Sequence, residues 1–325
     1  MGNYENNLTG LGRQLDPRHV RTANIGRLKS FRPDAVIVCG MGGSGLIGDF
    51  LQATAAEVRL PVPVITVKTN QLPTLPFRRP LYVCVSFSGN TKETLACLSE
   101  ALRLKTKAGV AIVTGQGGKM RKIAERNRLP AAYFDPGSLT PRAASGSMYA
   151  SLTTLLRGTF PGLAVPDLAH SIRPKTFARQ GAALSERLKG RNVIVYTDAF
   201  HAALGYFWKI SLNETGKNAA FTNTYPEIDH NEIVGFEKIR GAWTAVWLVD
   251  PAGDRENRAK AAFVAKKLER KGITNVQIKL RGKTALQRFW NGVALAEWTA
   301  FRLAKLNGVG PEETKAIDEL KSKFK

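Results

Sequence analysis

The chain has 325 residues, 43% of them hydrophobic and 23% charged, the proportions of a globular protein long enough for two domains with separate cores. No apolar run reaches the length that crosses a bilayer, and the opening MGNYENNLTGLGRQLD lacks the charged-then-apolar pattern of a secretion signal. The formal net charge of +22 comes from scattered Lys and Arg, with modest clusters at 105–107, 119–128 and 266–271. It reads first as solvated surface charge. Steering of an anionic substrate and nucleic-acid binding are the functional alternatives, and no basic arm or aromatic-interleaved strip supports the latter.

Asn7 stands where an N-terminal myristoylation motif wants Ser or Thr. Cys39, Cys84 and Cys97 cannot all pair, and the first two fall in apolar runs, so all three are expected to be reduced core residues of a cytoplasmic protein. With four histidines, three cysteines and none at ligand spacing, neither a metal site nor a cofactor is expected.

Taken in order, residues 1–33 are polar with room for one or two helices. DAVIVCG then reads as a buried strand ended by the turn GMGGSG, and a helix follows over 46–56. LPVPVITV and RPLYVCVSFSG are further strands, 91–104 a helix with an apolar face, GVAIVTG a strand, 119–127 a helix, and AAYFDPG a short strand or turn. The pattern restarts after a largely helical stretch over 141–188, broken near 161–166. RNVIVYTD, TAVWLVD and TNVQIKL are strands, with helices ending at Glu214 and spanning 255–270 and 285–306, and a last short helix in the tail. Alternating strands and helices of this kind form parallel sheets covered on both faces. The expectation is two α/β halves, 1–155 and 156–325.

Two strand ends in the first half carry matching chemistry. GMGGSG and SFSGNTKET each follow a strand and open a helix, placing Gly42, Gly43, Ser44, Ser86, Ser88 and Thr91 where doubly wound sheets bind ligands. Glycine turns let backbone N–H groups approach an anion, and hydroxyls add donors, a set suited to a phosphate monoester. The GK[ST] ending of a nucleotide-binding P-loop is absent. Helix caps with turn glycines are the structural alternative. In the second half, residues 208–236 gather Glu214, Glu227, Asp229, His230 and Glu232. A carboxylate at a helix end can shuttle a proton between carbons and an imidazole can serve an oxygen, so Glu214 and His230 are the candidate acid/base pair. The alternative is a solvated acidic turn with His230 as a cap.

GMGGSG and SFSGNTKETL together resemble the sugar isomerase (SIS) domain, a flavodoxin-like phosphosugar-binding unit. NETGKNAAF, PEIDHNEIVGF and the C-terminal IDELK extend the resemblance, from about residue 34 onward, to the bifunctional phosphoglucose/phosphomannose isomerases, which carry two SIS domains. That resemblance implies an N-terminal phosphate-binding domain, a C-terminal domain with the Glu/His segment, and a metal-independent aldose–ketose isomerase. It would interconvert glucose 6-phosphate, and mannose 6-phosphate, with fructose 6-phosphate through a cis-enediol. It assigns Ser44, Ser86, Ser88 and Thr91 to the phosphate, Glu214 to the C1–C2 proton transfer and Arg142 to the enediolate charge. His230 would open the ring from a partner subunit, making a homodimer with shared sites. Lys321, with Lys323 as the alternative, falls near the ring oxygen and Thr314 at acceptance of the mannose epimer. TGKN after Glu214 departs from the family's commoner Asn-Ala-Lys run. A non-catalytic phosphosugar-binding SIS regulator is the competing reading, but 33 residues before the first strand are few for a helix-turn-helix module. An amidotransferase-type isomerase would need a glutamine-hydrolysing domain.

Overall fold

A computed structural model of the chain describes residues 2–104, 107–115 and 117–323. It divides into two compact units, residues 9–172 and residues 1–8 with 173–325.

The N-terminal unit is built on a six-stranded sheet of β1 (Arg21–Ala23), β2 (Ala35–Cys39), β3 (Val64–Val67), β4 (Pro80–Ser86), β5 (Gly109–Gly115) and β6 (Ala131–Phe134). Its order is β1-β6-β5-β4-β2-β3. The five strands β2 to β6 are parallel, and β1 joins β6 antiparallel at the edge. The sequence offers no strand before residue 34. Three exposed or half-buried residues carry no periodic signal, and β1 forms only because the edge of β6 is there to pair with. β2 and β4 are buried along their whole length, as strands covered on both faces must be. Helices α1 (Gly42–Thr54), α2 (Lys92–Arg103), α3 (Gly118–Arg126) and α4 (Ser145–Leu156) cover the sheet. Cys39, Cys84 and Cys97 are all buried and free, within the core beneath α2 and α3.

The strand order reverses between β2 and β4, the switch point at which flavodoxin-like sheets bind ligands beyond the strand ends. α1 begins at Gly42 rather than near residue 46, so Gly43 and Ser44 lie in its first turn. Glycine runs give no helical signal, but here they are required. Gly42 has φ +50, and a Cβ on Gly45 would lie 2.3 Å from the Gly40 carbonyl oxygen.

The C-terminal unit has a four-stranded parallel sheet of β7 (Asn192–Asp198), β8 (Ala220–Tyr225), β9 (Trp243–Val249) and β10 (Thr274–Lys279), in the order β10-β9-β7-β8. Helices α5 (Ala178–Leu188), α6 (Ala202–Glu214) and α8 (Ala285–Leu306) pack together, while α7 (Arg255–Arg270) joins the core with Ile194, Tyr196, Tyr225 and Trp247. Strand alternation places α6 on the other face: a Cβ on Gly205 would lie 2.6 Å from Thr222 Oγ1 and 3.1 Å from Thr197 Cγ2. α6 is held tightly. The Trp208 indole donates to the Gly292 carbonyl at 3.1 Å, and glycine at 292 leaves room for Leu204.

The division at 172/173 differs from a boundary at 155. Residues 156–172 stay with the first unit because Leu168 and Ile172 are buried there, and Gly12 brings the chain against the Ala169 carbonyl. The first eight residues join the second unit. Tyr4 stacks on Phe301 at 5.5 Å and its hydroxyl lies 3.1 Å from Thr215 Oγ1.

The second sheet also has a switch point, between β7 and β9, and buried charges fill it. His201 Nδ1 lies 2.8 Å from Asp198 Oδ1, and its Nε2 faces Asp250 at 3.5 Å. Arg288 donates to Asp250 at 2.9 Å. Removing one partner of a buried pair strands the other charge. Asp250→Ala is expected to destabilise this unit by about 3–5 kcal/mol. Glu256→Ala, which breaks an exposed pair with Lys260, is expected to leave the midpoint unchanged. Urea unfolding followed by tryptophan fluorescence checks this, because all five tryptophans lie between residues 208 and 298.

Candidate functional site

In the N-terminal unit the two turns meet at the switch point. Ser44 Oγ accepts the Phe87 N–H at 3.2 Å and contacts Met148 Sδ at 3.4 Å, so the two loops are joined. Ser86 is fully buried. Its hydroxyl accepts the Gly89 N–H at 3.1 Å and lies 2.9 Å from Thr91 Oγ1, which folds the loop over the strand end. Asn90 N–H donates to Ser88 Oγ at 3.2 Å, and Asn90 Oδ1 accepts the Lys119 N–H at 2.9 Å. Ser88 is exposed and Thr91 half-buried. Thr91 precedes α2 without capping it through its side chain, so the first-turn amides have no side-chain cap. A helix N-terminus flanked by hydroxyls favours an anion. Arg142 is buried, and its backbone approaches Gly43: a Cβ on Gly43 would lie 3.6 Å from Arg142 Cα. The structure therefore brings Gly42, Gly43, Ser44, Ser86, Ser88, Thr91 and Arg142 to one end of one sheet.

In the C-terminal unit Glu214 is the last residue of α6 and half-buried. Its neighbour Asn213 exchanges hydrogen bonds with Ala220, the first residue of β8, at 2.8 and 3.3 Å, which fixes the helix end beside the start of that strand. The turn that follows is organised by Lys217, at φ +51. Its ammonium donates to the Glu214 carbonyl at 2.5 Å and to the Glu313 carbonyl at 2.7 Å, tying the base of the tail to the end of α6. Thr314 is half-buried, and its hydroxyl donates to Asp318 at 3.1 Å at the start of α9 (Lys315–Lys323). The Lys321 side chain lies outside the described residues, and Lys323 is exposed. The sequence marks Lys217 only as part of a helix stop. Its positive φ, one residue after a glycine, is a three-dimensional property that TGKN does not announce.

His230 closes a 3-10 turn, Glu227–His230, beyond the far end of β8. It is exposed and takes no hydrogen bond from any described residue. The six residues of β8 span roughly 17 Å at about 3.3 Å each. Ile228 and Phe236 bury this segment on the α7 face, whereas α6 covers the other face. Glu214 and His230 of one chain thus lie at opposite ends of β8 and on opposite faces of its sheet. Among the described residues no group of three or more His, Cys, Asp or Glu could hold a metal ion, and no helix is long and apolar enough to cross a membrane.

Residues 177–324 match the family model described as the bacterial phospho-glucose isomerase C-terminal SIS domain. The bifunctional phosphoglucose/phosphomannose isomerase of Aquifex aeolicus (strain VF5) is 29% identical over 294 residues, covering 89% of this chain and 90% of the relative. The enzyme of the same name from Caldicellulosiruptor bescii is 29% identical over 311 residues, 90% of this chain and 89% of its own. The C-terminal domain of glucosamine-fructose-6-phosphate aminotransferase from Francisella tularensis superposes with a TM-score of 0.72 at 11% identity, covering 95% of this chain and 98% of that one. At that identity the likeness concerns the fold: parallel sheets flanked by helices, of the SIS type.

Lys217→Met removes the donor shared by the Glu214 and Glu313 carbonyls. Amide exchange over 311–320 is expected to rise about fivefold to tenfold, the scale of one ordinary solvent-exposed hydrogen bond of about 1 kcal/mol, with helix content by circular dichroism unchanged. Hydrogen exchange read by mass spectrometry checks it.

Proposed function

We propose that the chain is a member of the bifunctional phosphoglucose/phosphomannose isomerase family and interconverts glucose 6-phosphate and mannose 6-phosphate with fructose 6-phosphate. The observation that carries this reading is Glu214, held as a half-buried carboxylate at the end of a pinned helix, in the segment that matches the isomerase family.

Each step has a candidate residue. The first-turn amides of α2 with Ser88 and Thr91 bind the phosphate, and Ser44 and Ser86 shape their loops. Once the ring is open, Glu214 takes the proton from one of C1 and C2 and returns it to the other, through a cis-enediol. Arg142 offsets the developing enediolate charge. His230 serves the ring oxygen in opening, with Lys321 beside it, and Thr314 accommodates the second epimer at C2.

The separation of Glu214 and His230 supports a homodimer with shared sites. The half-buried Glu214 and the exposed His230 are set on opposite faces of the sheet, an arrangement that a two-fold partner's histidine would complement.

Glu214→Gln keeps the size of the side chain and removes the proton acceptor. Turnover of fructose 6-phosphate is expected to fall at least about 100-fold with binding retained. Near-parental turnover in a coupled assay would remove Glu214 from the mechanism. Ser88→Ala and Thr91→Ala are each expected to cost about 1.5–3 kcal/mol of sugar-phosphate affinity, measured by titration calorimetry. Unchanged affinity in both would place the phosphate elsewhere.

A further inference from the structure

The segment 226–242 that carries His230 returns over the sheet with little regular structure of its own. It has one short helix, Glu232–Gly235, and two 3-10 turns. Its apolar anchors, Ile228 and Phe236, lie on either side of the exposed His230. Between them Glu232 reaches down to the strands. Tyr196 on β7 donates its phenol to Glu232 Oε1 at 2.6 Å, and Asn223 on β8 donates its amide to Oε2 at 2.5 Å. Tyr196 and Asn223 are paired in the β7–β8 register, so one carboxylate spans two neighbouring strands.

We propose that Glu232 is the positioning residue for His230: both carboxylate oxygens are committed to the sheet, and this fixes the turn that presents the imidazole. Charge-assisted hydrogen bonds of this length are the strong ones, and two of them from adjacent strands define an orientation that one cannot. Tyr196 is suited to a permanent donor role. Burial and the neighbouring carboxylate push its phenol well above the usual range, so it keeps its proton. Asn223 Oδ1 accepts the Thr224 N–H at 2.8 Å, which settles which end of the amide faces Glu232. Two residues from His230, Glu232 thus acts through the histidine and need not touch substrate. The inference rests on the proposed isomerase role of His230.

Four full-length proteins test it: Glu232→Ala, Glu232→Gln, His230→Ala and the double variant Glu232→Ala/His230→Ala. Glu232→Ala is expected to lower kcat for fructose 6-phosphate about fivefold to twentyfold with KM within about twofold, and to cost less than about twofold further when His230 is already alanine. Glu232→Gln keeps one carbonyl acceptor and should fall between parent and alanine. Amide exchange over 227–235 should rise at least about tenfold in Glu232→Ala, with the melting temperature and oligomeric state of the parent retained. Full multiplication of the two losses in the double variant, or parental kcat in Glu232→Ala, overturns the positioning role. If His230→Ala keeps parental turnover, the isomerase role of His230 fails. Faster exchange over 227–235 would still support Glu232 as the anchor of the turn, and unchanged exchange would overturn that as well.

Discussion

The second sheet is a wall between two candidate reacting groups. β8 is only six residues long, but α6 with Glu214 lies on one of its faces and the turn with His230 on the other, at the opposite end. Neither side chain can cross a hydrogen-bonded sheet, of which β8 is the edge strand. Much else follows from this constraint. α6 is pinned by Trp208 and Leu204 against α8 and by Asn213 against β8, so Glu214 is held where it is. The histidine segment is anchored at Ile228, Glu232 and Phe236, and leaves its imidazole facing outward. An exposed imidazole of this kind is what the proposed two-fold partner would use, since a closed dimer supplies equal geometry twice.

The two units use one winding in different ways. In each, the strand order reverses beside the first parallel strand and opens a crevice beyond the strand ends. In the N-terminal unit the crevice is lined with glycine backbone, hydroxyls and the first turn of a helix without a side-chain cap, chemistry that suits an anion. In the C-terminal unit Asp198, His201, Asp250 and Arg288 close it. With its switch point occupied by Asp198, His201, Asp250 and Arg288, that unit holds the candidate carboxylate Glu214 at the other end of the sheet, where α6 stops. Shared topology thus says little about where function lies until the residues at each strand end are read.

The sequence was most informative where burial leaves one solution. AVIVC and PLYVCVS are apolar throughout because both faces of the sheet are covered, and each is followed by a Gly/Ser turn. The end of α6 at Glu214 was legible from its apolar face and the TGKN stop. What escaped was set by distant partners. β1 exists only against β6. Helix α1 starts in the glycines because close approach of Gly45 to Gly40 demands it. Residues 1–8 leave the first unit because Tyr4 finds Phe301. The reach of Lys217 to Glu313 and the grip of Glu232 on Tyr196 and Asn223 depend on contacts between residues 9 to 96 apart. The two strand-end aspartates, Asp198 and Asp250, were visible as letters, and only the sheet order makes them neighbours.

The central claim is that Glu214 and His230 act together only between chains. Mixing Glu214→Gln protein with His230→Ala protein, each strongly impaired alone, under conditions that let subunits exchange, measures this directly. Each heterodimer carries one intact site and one doubly damaged site, so free reassortment of an equal mixture is expected to restore about a quarter of parental turnover. A mixture that stays inactive while exchange is demonstrated by labelled subunits, or a fully active monomer, would contradict it.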